Sequence, residues 1–593
     1  MPKRRINIRH RSHCFLRFSG SLKNLLSLED KIRTMRKSLF IFILLFTGML
    51  SGAQVVFEHT TNHGIYTFLD EMANLKLIEL NDVVKPYSRQ MISEKLLETR
   101  EKVSREDKTW HLNKRQRKEL DFYLQAYALE RNRIPDENEQ HDLLNAPEFA
   151  TALHPPGLFY KDDAFRAGLQ IIYGASYGTN ENGTLSSTYG GASLFGYIGK
   201  NLGFYTSIRD NNMSKKMLAP EYFVQRPGTP YKNYGEEGID FSEARGGITY
   251  SWKWGYVGLV KDHITWGKGY NGTNIQSGRV PSFGMIKLNL KPARWFEFNY
   301  YHGWLVSQVV DSSASYWTNG VYRSTYYPKY IAGNMFTFYP FRHFNFSFGN
   351  SVVYSDLGGP HAAYLVPFLF YKSVDHTLNA TNADGESGQN SQLYFSMSSR
   401  NIRHLHLYFT LFMDDLSVRH FSKKDEFNLF SYKLGGRISD FPFGNIGLTG
   451  EFTLSNPFLY QHKIETQTYA SNLYSMGHYL RDNSQEVYFA VDYKPVRGLN
   501  MKISYTLSQH GDDFSYAACA LDPGCNLHKV PILENIIWES EAFEFQANYE
   551  LLSNTYIYLI YRIQQTKGDV EKYTPSFYRG ETNTLMGGLN IGF

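Results

Sequence analysis

From about residue 163 to the end of the chain, apolar and polar residues alternate one for one, broken at intervals by turn-forming residues. Phe543, Phe545, Ala547, Tyr549 and Leu551 interleave with Glu544, Gln546, Asn548 and Glu550. Leu405, Leu407, Phe409 and Leu411 interleave with His406, Tyr408 and Thr410, and Leu499, Met501, Ile503, Tyr505 and Leu507 with Asn500, Lys502, Ser504 and Thr506. The same rhythm returns at 286–290, 296–300 and 344–348. A period of two is that of a β-strand with one apolar and one polar face. About eighteen such segments can be counted, an even number, as closure of an antiparallel bacterial barrel requires. Their connections alternate in length. Short ones fall at Gly199-Lys-Asn201, Lys253-Trp254, Lys291–Arg294, Tyr339–Arg342, Lys494–Arg497 and Ser553-Asn554, and long ones near 210–240, 303–327, 354–390, 454–484 and 509–540. The pattern predicts an all-β transmembrane barrel over 163–593, closed and antiparallel, with short periplasmic turns and long external loops.

Ahead of this region the period is helical. Ile65, Phe68, Leu69, Met72 and Leu75 recur on one face, Ser88 is placed to cap a helix bearing Ile92, Leu96 and Leu97, and Asn113 with Gln116 opens a third through Leu120, Leu124 and Tyr127. Residues 54–144 are therefore expected to form a small periplasmic helical bundle. Residues 145–162, with the pair Pro155-Pro156, are expected to form a linker. Further upstream, Leu39–Phe46 is a short apolar run preceded by Met35-Arg36-Lys37 and followed by Ser51-Gly52-Ala53, the arrangement of a secretory signal peptide. Cleavage after Ala53 and a true start at Met35 are expected, with residues 1–34 an over-extended start.

Composition narrows the class. The chain is 16% aromatic, with 44 Tyr and 42 Phe, as aromatic belts at two membrane interfaces demand. No apolar run after the leader is long enough for a helical span. The formal charge of +5 belongs to the leader: beyond residue 53 the chain carries 51 basic and 55 acidic residues, so no nucleic-acid partner is implied. Cys14 lies in the leader. Cys519 and Cys525 enclose a Pro-Gly turn in an exported chain and are expected to form a disulfide. In the last strand Leu585, Leu589, Ile591 and the terminal Phe593 share one face. An aromatic ending of this kind resembles the signal read by the outer-membrane barrel assembly machinery.

Two motifs that suggest enzymes have the wrong setting. Gly174-Ala-Ser-Tyr-Gly178 matches a nucleophile elbow but lies within a predicted strand with no helix after it. Gly267-Lys-Gly-Tyr-Asn-Gly272 matches a dinucleotide loop but opens no helix to receive a phosphate. The wider run Asp262–Gly272, with Ser277 and Pro281-Ser-Phe283 after it, resembles the W-G-x-G-x-x-G hallmark of the Wzi-type capsule-assembly proteins, which usually carry Pro where Lys268 stands here. Tyr364–Tyr371 followed by Asp375-His376, the strand Tyr408–Asp415, and Lys85–Arg89 resemble further family segments in the same order. The resemblance implies an eighteen-stranded barrel with a loop-closed lumen that binds surface polysaccharide and assists capsule attachment without catalysis. The expected partners are the outer-membrane lipid and polysaccharide, and no cofactor or metal is expected. A porin-like diffusion channel for small polar solutes is the alternative. Aromatic faces with hydroxyl-satisfying partners point to Trp266, Lys268, Tyr270, Asn271, Trp304 and Trp317 as candidate sugar contacts, although aromatics near strand ends serve first as girdle residues.

Overall fold

The computed structural model describes residues 54–104, 110–132, 141–142, 149–217, 219–230, 238–355, 357–379, 388–415 and 428–592. The expected leader and Phe593 lie outside the described residues.

Eighteen antiparallel strands close into one barrel. In chain order they are β1 (Phe165–Asn180), β2 (Gly183–Ile198), β3 (Leu202–Ser214), β4 (Gly238–Trp252), β5 (Gly255–Asp262), β6 (Phe283–Ala293), β7 (Phe296–Val310), β8 (Tyr326–Phe341) and β9 (Phe344–Ser355). There follow β10 (Asn390–Ser399), β11 (Leu405–Asp415), β12 (Leu429–Ser439), β13 (Ile446–Ser455), β14 (Ser484–Tyr493), β15 (Leu499–Gly511), β16 (Ile536–Leu552), β17 (Thr555–Gly568) and β18 (Glu581–Ile591). The barrel shuts where β18 pairs β1, from Leu585 opposite Thr179 to Ile591 opposite Tyr173. Alternation sorts the side chains as the sequence requires: Leu585 points outward and is exposed, while Thr582 and Thr584 are buried inside. Ile171, Ile208, Leu259, Leu407, Leu434, Phe489, Ile503 and Phe543 continue the exposed apolar face around the outside. A belt of that extent is solvated by lipid.

Gly174 and Gly178, the glycines of the apparent nucleophile elbow, sit inside β1. A Cβ at Gly174 would overlap the ring of Tyr189 on β2, so that glycine is there for close side-chain packing.

The helices form as expected: α1 (His63–Asn74), α2 (Arg89–Ser104) and α3 (Lys114–Ala126). Asn113 and Gln116 make a capping box at the start of α3, and the Ser88 hydroxyl accepts from the Met91 amide at 3.1 Å at the start of α2. Ile65, Phe68, Leu69, Met72, Ile92, Leu96, Leu120 and Leu124 close their common core. The helices are seated in the short-turn end of the barrel, in one compact unit with it. Asn74 donates to the Ser439 hydroxyl at 2.9 Å, Asn113 to Asn445 at 2.9 Å and Tyr123 to Glu550 at 2.6 Å. Lys494 pairs with Glu71 at 2.8 Å, and burial is outweighed by Lys494 and Arg115, which hold the Glu71 carboxyl well below its ordinary range.

The stretch expected as a linker contains a hairpin, Phe149–Leu153 and Pro156–Lys161, whose second strand pairs β1 from Leu158 opposite Leu169 to Lys161 opposite Arg166. The two prolines stop a helix but are tolerated at a turn and at the first residue of a strand.

The long connection after β9 does not simply project from the barrel mouth. Ile331 and Met335 on β8 pack inward with Trp266, so Asn334 must face outward, as must Asn350 on β9 and His302 on β7. Residues 361–379, including α4 (Tyr371–Asn379), fold down over the outer wall and cover this polar seam. Asn334 donates to the carbonyls of Pro367 and Leu369, each at 2.9 Å, and Asn350 accepts from the Tyr371 amide at 2.9 Å. Tyr300 donates to the Tyr364 carbonyl at 3.0 Å, and Phe368 stacks on Phe298 at 4.4 Å. The segment turns Leu365, Val366, Phe368 and Phe370 outward, restoring an apolar surface over polar positions.

Candidate functional site: the filled lumen and its remaining cavity

The connection between β5 and β6, residues 263–282, runs back into the barrel. Its start forms a two-residue ladder with the N-terminal segment, Val84 opposite Trp266 and Lys85 opposite Thr265. The glycine motif makes the tight bend beyond it. Gly267 and Gly272 take φ of +104° and +78°, and a Cβ at Gly269 would strike the Gly272 carbonyl. The motif therefore shapes backbone inside the lumen and cradles no phosphate.

This bend is held by buried charge. Lys268 reaches Asp82 at 2.7 Å and Asn345 at 2.8 Å. Burial pulls the Lys268 amine down to about 8 against the pull of Asp82. For Asp82, burial is outweighed by Lys268 and Arg400, and the carboxyl is held well below 3.8. Arg400 bridges Asp82 at 3.0 Å, Asp70, and the Asn74 side-chain carbonyl at 2.7 Å. The Tyr270 hydroxyl donates to Asp70 at 2.9 Å and meets His406 Nδ1 at 2.7 Å, and Arg437 lies 4.9 Å from its ring centre. Glu451, paired with Lys433 at 2.7 Å, accepts the Tyr270 and Asn271 amides. The N-terminal segment, the bend and strands β9 to β13 are thus tied through one network.

Two groups among the described residues have the composition of metal ligands, and both are already occupied by protein cations. Asp70 and Asp82 are taken by Arg400 and Lys268. Asp262, beside His59 and His263, accepts Arg245 at 2.7 and 3.1 Å and the Tyr205 hydroxyl at 2.7 Å.

The geometry revises the candidate sugar contacts. Trp266 is 2% exposed, edge-on to Tyr301 at 4.8 Å, and Lys268 is equally buried. Neither presents a face to a ligand, and Trp266→Ala would be a core truncation. Tyr270 is locked by its hydroxyl and by Arg437. Trp304 sits on the outer face of β7 near its long-loop end, edge-on to His302 at 5.4 Å, in the position of a girdle aromatic. Trp317 stands at the tip of a small hairpin, 72% exposed, with Tyr322 5.4 Å away. Of the candidates on the inward loop, Asn271 borders open space. The sulfurs of Cys519 and Cys525 are joined, with Cα atoms 5.3 Å apart, in a loop at the same end.

That open space is a cavity of about 230 Å³ under the long loops, walled by β14 to β17 and roofed by residues 223–225 and 573–578. Lys502, Ser504, Thr506 and Ser508, the inward set of β15, form one side. Trp538, Tyr573 and Phe223 form an aromatic corner: Phe223 stacks on Tyr573 at 4.5 Å and meets Trp538 edge-on at 5.1 Å. Trp538 Nε1 donates to Thr574 at 2.8 Å, fixing the indole. Arg562 Nε and Gln564 Oε1 are buried there with no hydrogen-bond partner among the described residues. The polar residues of β15 were visible in the alternation, but nothing in the sequence joins them to Trp538 or Phe223, which meet only when the barrel closes and the loops fold in.

The fold and this interior define a class: a closed eighteen-stranded barrel of the outer-membrane type, stoppered by helices and by an inward loop. No family model matches the sequence, and no curated protein matches it. Among solved structures the chain is similar to Wzi of Escherichia coli, an outer-membrane protein involved in group 1 capsule assembly and a carbohydrate-binding β-barrel, with a TM-score of 0.51, 10% identity, and coverage of 91% of this chain and 100% of that one. OccD3 (OpdP) of Pseudomonas aeruginosa matches with a TM-score of 0.40 and 11% identity over 72% of this chain and 91% of its own. OccAB2 of Acinetobacter baumannii matches with a TM-score of 0.40 and 10% identity over 72% of this chain and 98% of its own. The likeness to Wzi is one of fold.

Proposed function

We propose that this chain is a non-enzymatic outer-membrane protein that binds surface polysaccharide and holds it for capsule or exopolysaccharide attachment. The observation that carries this reading is an interior filled by its own loop and helices, which leaves a single-sugar-sized cavity lined by aromatic rings and hydroxyls instead of a channel. Flat rings and dense hydrogen-bonding groups are what a sugar needs. The exposed apolar belt fits an outer membrane. The short-turn end with its helices then lies in the periplasm, and the last strand is the element read by the assembly machinery. The likeness in fold to Wzi, itself a carbohydrate-binding barrel of capsule assembly, supports the same reading. The filled lumen weighs against the alternative of a porin-like diffusion channel.

The test is to fill the cavity from its wall. Ser504→Phe is expected to lower retention of the host's surface polysaccharide by at least about tenfold, or ~1.4 kcal/mol, with surface level and heat-modifiable migration unchanged. Trp317→Ala, at the exposed hairpin tip, is expected to have a smaller effect. Normal retention in Ser504→Phe with full barrel levels would move the site out of the cavity, and loss in Trp317→Ala alone would place it on the outer hairpin.

A further inference from the structure

The cavity is surrounded by more positive charge than its carboxylates can match. Lys502 and Arg562 line it, and among the described residues Glu544 is its only acidic lining group. Arg562 and Glu544 pair at 3.8 Å, beyond hydrogen-bond reach, and the guanidinium lies 5.3 Å from the centre of the Tyr578 ring, while its Nε has no hydrogen-bond partner among the described residues. Lys502 has no ion-pair partner among the described residues. Behind the aromatic corner, Arg481 lies 4.8 Å from the centre of the Phe223 ring and 5.7 Å from that of Tyr573, and its guanidinium donates to the Glu221 carbonyl, at 3.2 Å. Arg226, on the roof segment, has a methionine sulfur at 3.5 Å as its neighbour, and no carboxylate pairs with it among the described residues.

The nearby acids are already used. Glu486 is taken by Tyr479, His478 and the Asn271 amide group, the last at 3.0 Å. Asp513 is taken by Lys572, Tyr573 and His510. Lys502 and Arg562 are half-buried in the cavity wall, where a ligand carboxylate would complete a positive charge that Glu544 alone only partly balances. Burial pulls the Arg226 guanidinium below its ordinary range, consistent with a charge left without a carboxylate.

We propose that the cavity takes an acidic sugar unit, a uronate-type residue of an anionic polysaccharide, with its carboxylate toward Arg562 and Lys502. Its hydroxyls meet Ser504, Thr506 and the free Gln564 carbonyl oxygen, and its ring lies along the aromatic corner. This assignment rests on the saccharide-binding reading and adds charge selectivity to it. Guanidinium and ammonium donors to a carboxylate make stronger hydrogen bonds than neutral donors do. Selectivity for the acidic sugar is therefore a matter of a few groups and can be removed one group at a time.

The experiment is calorimetric titration of the full chain in detergent with trigalacturonate and, separately, with neutral galactotriose. Trigalacturonate is expected to bind at least about tenfold more tightly, with an affinity that falls as salt is raised. Lys502→Gln and Arg562→Gln are each expected to shrink that preference to about twofold, with the loss falling mainly on trigalacturonate. Two variants are used so that poor folding of one leaves the other informative, and heat-modifiable migration identifies the folded one. Equal binding of the two trisaccharides would overturn the acidic assignment and leave the saccharide reading standing. Acid-selective binding that survives both substitutions would overturn it too, by placing the anion elsewhere. Binding of neither sugar would count against both readings.

Discussion

Arg400→Met is expected to lower the unfolding free energy of the barrel by about 3–5 kcal/mol, the cost of leaving buried charges without their partner. Arg400 holds Asp70, Asp82 and the Asn74 side chain together, and these residues anchor the helical stopper to β10 and β11. The measurement is urea unfolding in phospholipid vesicles, followed by heat-modifiable migration. Arg400→Lys should recover part of the loss, because an ammonium restores the charge but not the planar fork with which the guanidinium reaches Asp70, Asp82 and Asn74 together. The pH dependence follows from Asp82. Its carboxyl is held below 3.8 in the folded state, so its stabilisation is complete above that value and drains away as pH falls below it. Removing Arg400 takes away part of that depression, so the share of stability that Asp82 loses on acidification should be smaller in the variant than in the parent. A midpoint within about 0.5 kcal/mol of the parent would mean that the network does not hold the stopper in place.

Replacing Tyr364–Tyr371 by a glycine-serine linker is expected to remove most folded protein from the membrane. The segment gives Asn334, Asn350 and Tyr300 their hydrogen bonds on the outer wall. Stripped of it, they face hydrocarbon, where each unsatisfied group costs several kcal/mol. The decisive arm is a compensated background. With Asn334→Val and Asn350→Val in place, the same replacement should be tolerated much better. Equal loss in both backgrounds would show that the segment serves assembly by some means other than covering a polar seam.

The barrel was legible because lipid and a polar interior impose a strict period of two, and every quoted strand obeys it. The helices were legible through their caps, Ser88 and Asn113. Closure at the last strand was legible in Leu585, Leu589 and Ile591, all on the outer face. What alternation cannot say is which loops turn inward. Trp266 and Tyr270 read as loop aromatics available to a ligand, yet the loop carrying them fills the lumen, and only the buried partners Asp70, Asp82 and Glu451, up to about two hundred positions away in the chain, reveal it. The same limit hid the outer segment. Asn334 and Asn350 break the apolar face of their strands, and that break is the one signal that something other than lipid covers them. The cavity was half visible, in the hydroxyls of β15, and half hidden, because its aromatic corner is assembled from two loops and a strand end.

Single-channel recording in planar bilayers tests the central claim, that the interior is closed and serves binding instead of passage. The full chain, inserted and verified as folded, is expected to give no stable conductance steps, because the loop 263–282 and α1 to α3 occupy the section through which ions would pass. Large, long-lived steps from the intact protein would contradict the account and favour a diffusion channel.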